Sequence, residues 1–512
     1  MSARRTSIGD DSGFMDLKQL LRQCGDFGNK DCDIPVMVKE RITRICSDFL
    51  SGPWKFAEIS DIEFFRMSGG MSNMLFLCKL KDHAKLCSVA TRNGKPSNSI
   101  ASSIIQASPI TVLLRVYFNP ETEAHLVAES VIFTLLSEKC LGPRLFGIFN
   151  GGRLEEYIES RCLTVDDVRQ PSLSVQIAKR AAAIHCLSVP IRKEPRYIVN
   201  AMKRWIQKLP SNVIVEVRST NSPENVTKFD IYALSRETDL ISKCMTKSQS
   251  PVVFCHNDLQ EGNILLVNDK CWDQNSNVRS KRLKPRMTGG LVVIDFEYAS
   301  YNYRGFDLAN HFCEWAINYE LQGLPGFSVN EDMFPTYEQQ ALFCKSYLDA
   351  FDLQYYQDEH NSVASQNGSN GHLSLSSGSN TGNNASTETS LDICIPTTTT
   401  NVGDSNSTII TTTTDARTDA LIVEIKPFIA ISHFFWGLWA LLQVELSPIH
   451  FGFKEYAIRR LMMYLECKSD MIRLLELQQY QQTDSNCLSA VFDGVDVQPA
   501  EKRRRDLLSD DK

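Results

Sequence analysis

Three polar side chains stand beside short apolar runs, with the types and spacing that phosphoryl transfer requires. Asp258 and Asn263 lie in the loop between two apolar runs, and Asp295 ends a third run at residues 291–294. In phosphoryl-transfer sites one carboxylate orients or deprotonates the attacking hydroxyl group, and hard oxygen ligands bind the Mg²⁺ that neutralises charge on the phosphates. Two ordinary polar turns that close hairpins are the alternative, but the order of the motifs favours catalysis. The spacing therefore predicts Asp258 as the catalytic group, with Asn263 and Asp295 at the metal.

A hairpin tip upstream of these motifs is a candidate phosphate-binding loop. Residues 61–66 and 74–80 alternate as two strands, and residues 68–73 join them. Because glycine has no side chain, backbone N–H groups in such a tip can approach phosphates closely. An ordinary hairpin turn is the alternative interpretation. The candidate nucleotide contacts here are Ser68, Gly69, Gly70, Met71, Ser72, Asn73 and Met74.

A strand cation and a helix glutamate follow as further candidates for phosphate binding. Residues 111–117 are predicted as a strand that contains Arg115, and residues 121–139 as a helix with Glu129 near its middle. In kinase-type sites a strand cation contacts the α- and β-phosphates and pairs with a helix glutamate. A surface charge on an edge strand and a solvated helix glutamate are the alternative. We therefore predict an Arg115–Glu129 pair at the phosphates.

The composition is that of a globular enzyme and argues against several other classes. Hydrophobic residues make up 43% and charged residues 22% of the 512 residues, and the net charge of −7 argues against a general nucleic-acid binder. The sixteen cysteines form no Cys-x-x-Cys pair, which indicates neither a zinc site nor a disulfide framework. The N-terminus lacks the apolar core of a secretory signal, and no apolar run reaches the roughly eighteen residues of a membrane span. We expect a cytoplasmic protein with reduced thiols and no transmembrane segment.

The chain is expected to fold as two lobes with polar tails and one polar insertion. Residues 359–414 are rich in Ser, Thr, Asn and Gly and have too few apolar residues to pack a core, so we expect a disordered insertion. The predicted divisions are a mobile tail at 1–34, a nucleotide-binding lobe at 35–155, a catalytic lobe at 156–482 and a mobile tail at 483–512. Helices are predicted at residues 35–50, 121–139, 171–187, 223–246, 335–354, 419–445 and 454–482, with Pro427 starting or kinking the sixth.

Five segments resemble the choline/ethanolamine kinase family, in the order that the family has them. They are MSGGMSNMLF at 67–76, VLLRVY at 112–117, FCHNDLQEGNILL at 254–266, IDFEYASYNYRGFDLANHFCEW at 294–315 and SHFFWGLWALLQ at 432–443. The resemblance covers most of residues 35–355 and 419–470, whereas the 359–414 insertion and Pro427 depart from the family's pattern. It implies an α+β, bilobal protein-kinase-like fold, with a small N-terminal β-rich lobe and a larger, mostly helical C-terminal lobe. It also implies ATP and Mg²⁺ as cofactors, transfer of the γ-phosphoryl group to an amino alcohol, and a homodimer.

The same resemblance assigns roles to individual residues. Asp258 would be the catalytic base, and Asn263 and Asp295 would bind the metal. Together with the strand cation and helix glutamate, the implied nucleotide contacts are residues 68–74, Arg115, Glu129, Glu156, Cys162, Gln260 and Asp295. The residues implied around the substrate are Asp258 at the hydroxyl group and Tyr298, Glu314, Tyr319, Trp436, Trp439, Phe451 and Tyr456 around the cation.

The expected activity is the ATP-dependent phosphorylation of choline to phosphocholine, the first step of phosphatidylcholine synthesis by the CDP-choline route. A trimethylammonium group has no N–H donors and needs aromatic faces, so we expect choline to be preferred over ethanolamine. An ethanolamine kinase or a dual choline/ethanolamine kinase is the alternative. A protein kinase fits less well, because Glu297 stands where those enzymes have glycine and no Ala-Pro-Glu segment follows. A non-catalytic relative is expected to lack one of Asp258, Asn263 and Asp295, and none is missing.

Overall fold

The computed structural model describes ten stretches of the chain. They are residues 17–23, 33–67, 73–82, 108–117, 123–139, 141–218, 224–267, 290–367, 415–447 and 449–492. Several predictions lie outside these residues, namely those for the N-terminal tail before residue 17, the insertion from 368 to 414, the tail after residue 492, and the candidate nucleotide contacts Ser68, Gly69, Gly70, Met71 and Ser72.

A five-stranded antiparallel sheet forms the N-terminal part, in the order β1-β2-β3-β5-β4. The strands are β1 Ile62–Met67, β2 Asn73–Leu80, β3 Thr111–Tyr117, β4 Leu145–Phe149 and β5 Gly152–Glu156, and the helices are α1 Leu17–Gln23, α2 Val36–Phe49 and α3 Glu123–Glu138. Val112, Leu114 and Val116 alternate along β3 and are fully buried in a core with Trp54. Because successive strand residues point to opposite faces, this alternation directs Arg115 away from that core.

The C-terminal part is mostly helical, with short antiparallel ladders that frame the catalytic motifs. Its helices are α4 Val165–Arg169, α5 Pro171–His185, α6 Tyr197–Lys208, α7 Ile231–Lys247, α8 Arg304–Glu314, α9 Tyr337–Asn367, α10 Ala416–Leu446 and α11 Phe453–Phe492. Its strands are β6 Ser160–Cys162, β7 Val215–Arg218, β8 Val226–Phe229, β9 Val252–Cys255, β10 Ile264–Val267, β11 Leu291–Val293, β12 Ser300–Tyr303, β13 Ile317–Asn318 and β14 Ser328–Val329. β10 pairs with β6 and β11, and β9 pairs with β12, so the motifs after β9 and β11 lie side by side.

Helix α10 is the central helix of this part and packs against α6, α8, α9 and α11. Pro427 lies inside it and does not start it, because the helix begins at Ala416 behind the N-cap residue Asp415, whose side chain accepts a hydrogen bond from the Arg417 backbone. Among the described residues α10 is the one helix long and apolar enough to cross a membrane by length and composition, and 72% of its most apolar stretch is buried inside the protein. That burial is what the core helix of a folded domain requires.

The structure corrects three predicted helix boundaries. The helix predicted at residues 223–246 starts only at Ile231, because Asp230 caps it by accepting a hydrogen bond from the Ala233 backbone, and strand β8 precedes it. Helix α9 continues to Asn367, into the predicted insertion, and α11 continues to Phe492, past the predicted end at residue 482. In addition, helices α4, α6 and α8 were not predicted from the sequence. The α+β class itself is as predicted.

Candidate active site

The loop between β9 and β10 holds Asp258 and Asn263 in direct contact. The Asn263 amide nitrogen Nδ2 donates to Asp258 Oδ2 at 2.8 Å and to the Asp258 backbone oxygen at 2.9 Å. A single 3₁₀ turn, Glu261–Asn263, brings the two residues together. Since Nδ2 is engaged, the amide oxygen Oδ1 of Asn263 is the atom available to a metal ion.

The third predicted catalytic residue, Asp295, lies at the start of the neighbouring loop. Its backbone has φ = 63°, in the left-handed region that non-glycine residues adopt at an energetic cost, and Asn257 has φ = 66° in the catalytic loop. Asp295 Oδ1 accepts a hydrogen bond from Arg115 Nη1 at 3.1 Å. This ion pair links the N-terminal sheet to the catalytic loops and leaves Asp295 Oδ2 for a cation.

His256 ties the two catalytic loops to each other. Its Nε2–H donates to the Ile294 backbone oxygen at 2.9 Å, and its Nδ1 accepts from the Asp258 backbone N–H at 3.2 Å. Burial lowers the pKa of His256, so the ring is the neutral tautomer that this pair of bonds requires. One ring thereby fixes the residue before Asp295 relative to Asp258.

Asp307 on α8 anchors the loop that contains Asp258. Its two carboxylate oxygens accept hydrogen bonds from the backbone N–H groups of Asn257 at 2.7 Å and His256 at 2.9 Å, and Oδ2 also contacts His185 Nε2 at 2.9 Å. His185 in turn contacts the hydroxyl group of Tyr347 at 2.8 Å. Burial alone would raise the pKa of Asp307, but these hydrogen bonds and the nearby imidazoles outweigh it and hold the pKa below its usual value.

Two further residues on α8 fix the catalytic loop and the aromatic wall. His311 Nδ1 contacts the Leu259 backbone oxygen at 2.9 Å, and its Nε2 accepts from Trp315 Nε1 at 3.2 Å. Burial lowers the pKa of His311 to about 4, which keeps the ring neutral. Asn310 Oδ1 accepts from Trp436 Nε1 at 2.7 Å, so the helix that holds the catalytic loop also holds a tryptophan of the predicted cation site.

Asp307, Asn310 and His311 were not predicted as site residues, although the sequence carries a signal for them. They and Glu314 are separated by three, four and seven positions, so they lie along one face of α8. All four are at most 3% exposed in a helix that is otherwise apolar and buried. Buried polar side chains at helical spacing must find partners, and this requirement marks such a face as a candidate support for a site.

Replacement of Asp307 tests this support. We expect Asp307→Asn to lower the free energy of unfolding by about 3–5 kcal/mol, because it removes a buried charge from its partners and turns amide hydrogens toward backbone N–H groups. A depressed carboxylate pKa contributes stability above the ordinary value of 3.8 and loses it at lower pH, so the difference should shrink below that pH. Chemical denaturation at pH 7 and pH 3 measures both effects.

The matched control for this variant is Asp349→Asn. Asp349 pairs with Lys345 at 3.0 Å on an exposed helix surface, with 65% of its side chain exposed. Its replacement should change stability by no more than about 0.5 kcal/mol. If Asp307→Asn were as mild as this control, Asp307 would not anchor the catalytic loop.

The phosphate side of the site differs from the predicted Arg115–Glu129 pair, and that prediction is wrong. Arg115 Nε donates to Glu155 Oε1 at 3.3 Å, and Glu155 Oε2 accepts from Arg153 Nε at 2.8 Å. Arg153 Nη1 then donates to Glu129 Oε1 at 2.5 Å. Arg153 stands directly opposite Arg115 in the β3–β5 ladder, so it lies between the strand cation and the helix glutamate. The charges alternate in a buried relay from Glu129 to Asp295.

The remaining predicted nucleotide contacts lie in different parts of the structure. Asn73 Nδ2 donates to Glu297 Oε2 at 3.3 Å, a second bond between the sheet and the 295–297 loop. Gln260 lines the cavity described next. Glu156 ends β5, where its side chain accepts from the Arg144 backbone at 3.1 Å, and Cys162 is exposed on β6. Met74 packs against the core of the N-terminal sheet.

An open cavity joins the catalytic residues to the predicted cation site. Its described lining residues are Asp258, Gln260, Asn263, Asp295, Glu297, Tyr298, Glu314, Tyr319, Trp436, Trp439 and Tyr456. Phe451 is the one predicted substrate contact that this lining lacks. Its ring packs beside the ring of Tyr456, with 5.9 Å between centroids, so it supports the wall from behind.

Aromatic rings form one wall of the cavity. The rings of Trp436 and Trp439 lie 5.6 Å apart and nearly perpendicular, at 79°, and the ring of Tyr298 lies 5.2 Å from Trp436 at 77°. Mutually perpendicular rings turn their faces in different directions around one space. Such an arrangement suits a compact organic cation, which is attracted to the negative faces of aromatic rings.

The charge of the cavity also favours cations. Its four carboxylates are those of Asp258, Asp295, Glu297 and Glu314. Arg115 offsets Asp295 and Arg460 offsets Glu314, so the lining stays negative overall. Burial, followed by the charges of Glu314, Asp295 and Glu297, raises the pKa of Asp258 well above its usual range. A cation bound among these groups would stabilise the ionised form of Asp258.

Comparisons with known proteins agree with this geometry. The model of the choline/ethanolamine kinase family matches residues 64–465. A Caenorhabditis elegans protein called choline kinase A2 is 39% identical over 479 residues, which are 91% of this chain and 94% of that protein. The human choline/ethanolamine kinase is 32% identical over 434 residues, 85% of this chain and 87% of that protein.

Solved structures resemble the fold. A choline kinase from Cryptosporidium parvum matches with a TM-score of 0.53 and 21% identity, over 86% of this chain and 99% of that one. An ethanolamine kinase from Plasmodium vivax matches with a TM-score of 0.53 and 19% identity, over 89% and 96%. These likenesses concern the fold and confirm the predicted protein-kinase-like architecture. By the match of the family model and the identity to its relatives, the chain belongs to the choline/ethanolamine kinase family.

Proposed function

We propose that this enzyme, a kinase by its family, transfers the γ-phosphoryl group of ATP to the hydroxyl group of choline and forms phosphocholine. The observation that carries the proposal is a single cavity with the catalytic Asp258 near one side and the rings of Trp436 and Trp439 on another. Choline has a hydroxyl group and a trimethylammonium group two carbons apart. A site for it therefore needs a hydroxyl-binding carboxylate and an aromatic cation site within one small space.

In the proposed reaction Asp258 accepts a hydrogen bond from the choline hydroxyl group and directs its oxygen at the γ-phosphorus. The bond from Asn263 Nδ2 at 2.8 Å and the hold of His256 on the loop keep the carboxylate in one orientation. As the oxygen attacks, its proton passes toward Asp258, and ADP leaves. Because the transition state of phosphoryl transfer is largely dissociative, positioning and electrostatic stabilisation contribute most of the rate.

The residues present fit a magnesium ion. Asn263 Oδ1 and Asp295 Oδ2 are the oxygen atoms left by the hydrogen bonds described above, and oxygen atoms are the ligands that Mg²⁺ prefers. When bound, the ion neutralises charge on the phosphates. Arg115 would add a positive charge next to them. Its guanidinium group is already held by Glu155 and Asp295 and needs little reorganisation to do so.

Choline is the proposed preferred substrate, and ethanolamine a weaker one. The aromatic wall attracts the positive charge of a trimethylammonium group, and this attraction needs no hydrogen bonds. Ethanolamine's primary ammonium must give up water around three N–H donors, and aromatic faces replace that water poorly. A dual choline/ethanolamine kinase is the second candidate, because relatives with that name share about a third of the sequence.

A coupled assay of ADP release, with each acceptor in turn, tests the proposal. We expect turnover with choline, weaker turnover with ethanolamine, and no turnover with a generic protein substrate. If kcat/KM for ethanolamine equals or exceeds that for choline, the chain is an ethanolamine kinase or a dual kinase. Turnover with the protein substrate alone would instead support a protein kinase.

The buried relay gives a prediction for nucleotide binding. We expect Glu155→Gln to raise KM for ATP by about tenfold and to leave KM for choline within about twofold, because Arg115 loses a charged partner and faces Arg153 without an anion between them. Steady-state kinetics with each substrate varied in turn measures the two effects. Equal changes in the two KM values would contradict a specific role at the phosphates.

The control for Glu155→Gln is the same replacement at Glu216. Glu216 pairs with Lys228 at 2.8 Å in the β7–β8 ladder, where half of its side chain is exposed. Glu216→Gln should leave both KM values at the wild-type level.

We propose a cytoplasmic location for the enzyme. Nine cysteines whose side chains the structure describes are free, and most of them are buried. Reduced thiols are typical of cytosolic proteins. The homodimer stays a prediction from family resemblance.

A further inference from the structure

We infer that Arg460 determines which ammonium group the cavity accepts, although Arg460 does not line the cavity. The inference rests on the proposed function. Arg460 lies on α11 with only 1% of its surface exposed, and its guanidinium group donates to Glu314 Oε1. By donating to Glu314, it makes that carboxylate a poorer acceptor for a ligand, which favours a quaternary ammonium group, since that group needs no acceptor, over a primary ammonium group, which needs several.

The polar groups of the cation site form a closed ring of hydrogen bonds. Arg460 Nε donates to the Tyr456 hydroxyl oxygen at 2.9 Å, while Arg460 Nη2 donates to Glu314 Oε1. The Tyr319 hydroxyl group donates to Glu314 Oε2 at 2.8 Å, and the two tyrosine oxygens are 2.9 Å apart. Because the hydrogen of Tyr319 is given to Glu314, the hydrogen between the tyrosines comes from Tyr456. The donor and the acceptor of every hydrogen bond in this closed ring are therefore assigned.

The ring is held in place by its surroundings. Arg460 Nη1 lies 3.0 Å from His433 Nδ1, and burial followed by the arginine charge lowers the pKa of His433 well below its usual range. The histidine is therefore neutral and accepts the third bond of the guanidinium group. Burial raises the pKa of Tyr319 and of Tyr456, so both hydroxyl groups keep the hydrogens that the ring needs.

The consequence is a Glu314 carboxylate that already accepts hydrogen bonds from Arg460 and Tyr319 before any ligand enters. Each oxygen of Glu314 accepts a hydrogen bond from the protein. The hydroxyl hydrogens of Tyr319 and Tyr456 are both already donated within the ring of hydrogen bonds. The Glu314 carboxylate attracts any cation, but Arg460 competes for its lone pairs. A trimethylammonium group loses nothing by this, because it interacts through charge and aromatic faces. The N–H donors of a primary ammonium group must instead share the Glu314 oxygens with Arg460 and Tyr319, which weakens each of the bonds they form there.

Removal of the arginine should therefore change the selectivity. We expect Arg460→Met to lower the ratio of kcat/KM for choline to kcat/KM for ethanolamine by roughly tenfold to a hundredfold, the worth of one charge-assisted hydrogen bond gained by ethanolamine. The variant also makes the cavity more negative. The added negative charge attracts choline and ethanolamine alike, so its effect cancels in the ratio of their kcat/KM values. KM for ATP should stay within about twofold of wild type, which a general loss of structure would not allow.

The neighbouring arginine provides a matched control. Arg459 is half-buried and pairs with Glu331 at 2.6 Å, away from Glu314. Arg459→Met removes the same charge one position earlier on the same helix. We expect the choline-to-ethanolamine ratio of this variant to stay at the wild-type value.

A second variant tests the inference even if Arg460→Met does not fold. Tyr319→Phe keeps the aromatic side chain and the buried arginine, but it removes the hydroxyl hydrogen that Glu314 Oε2 accepts. It should lower the same ratio in the same direction. If folded Arg460→Met, or Tyr319→Phe alone where the first does not fold, keeps the wild-type ratio within about twofold, the inference is overturned. A wild-type enzyme that does not phosphorylate choline would instead contradict the proposed function, so the two failures are distinguishable.

Discussion

Replacement of Asp258 by asparagine should lower kcat by about 10²–10⁴-fold without loss of stability, as expected for a group that takes up the proton of the attacking hydroxyl. The amide keeps an oxygen for the bond from Asn263 Nδ2, so the loop should keep its shape. A carboxyl group whose folded pKa is raised costs stability once the pH exceeds its unfolded value. Removal of that charge should therefore leave the melting temperature at the wild-type value or above it.

The control for this variant is Asp332→Asn, on an exposed 3₁₀ turn. It makes the same chemical change away from the cavity and should leave kcat unchanged. Single-turnover kinetics and thermal melts of both variants measure rate and stability separately. Retention of more than about a tenth of wild-type kcat in Asp258→Asn would remove Asp258 from the mechanism.

Replacement of the cavity tryptophans should weaken choline binding. We expect Trp439→Ala to raise KM for choline by about two- to thirtyfold, since one aromatic face contributes roughly 0.5–2 kcal/mol to the binding of a cation, and KM for ATP should not change. Trp439→Phe keeps an aromatic face and should recover much of the loss. Trp436→Ala should act in the same direction, but it also takes the Nε1 donor from Asn310, so Trp439 gives the cleaner measurement.

A tryptophan outside the cavity separates binding from packing. Trp205 is 2% exposed and packs against Phe435 in the core of the C-terminal part, with 4.8 Å between ring centroids and 43° between ring planes. Trp205→Phe should leave KM for choline and for ATP unchanged, although it loosens the core. An equal rise of KM for choline in Trp205→Phe and Trp439→Ala would mean that Trp439 is ordinary core.

The sequence was most informative where local pattern and chemistry coincide. The alternation of Val112, Leu114 and Val116 predicts β3 because strand residues alternate between faces, and the observed strand has the predicted bounds. Asp258 and Asn263 were predicted to lie in one short loop between two apolar strands, and the structure shows them there in direct contact. The family motifs supply the aromatic residues, and the structure brings six of the seven predicted cation contacts to the cavity lining.

Contacts between residues that are far apart in the sequence could not be predicted from local patterns. The prediction that Arg115 contacts Glu129 fails because the β3–β5 register places Arg153 between them, and that register is set by folding rather than by local spacing. Arg460 lies 146 positions from Glu314, and no local pattern links them. Capping decided the start of α7, where Asp230 ends the strand that precedes it.

The proposed reaction transfers the γ-phosphoryl group of ATP to the oxygen of choline. ³¹P NMR of a reaction that contains the full chain, ATP, Mg²⁺ and choline tests this most directly, because it identifies the bond that forms. We expect one phosphocholine for each ADP, and phosphocholine formation with Asp258→Asn at no more than about a hundredth of the wild-type rate. Release of inorganic phosphate in place of phosphocholine, or phosphorus on the protein alone, would contradict the proposed reaction.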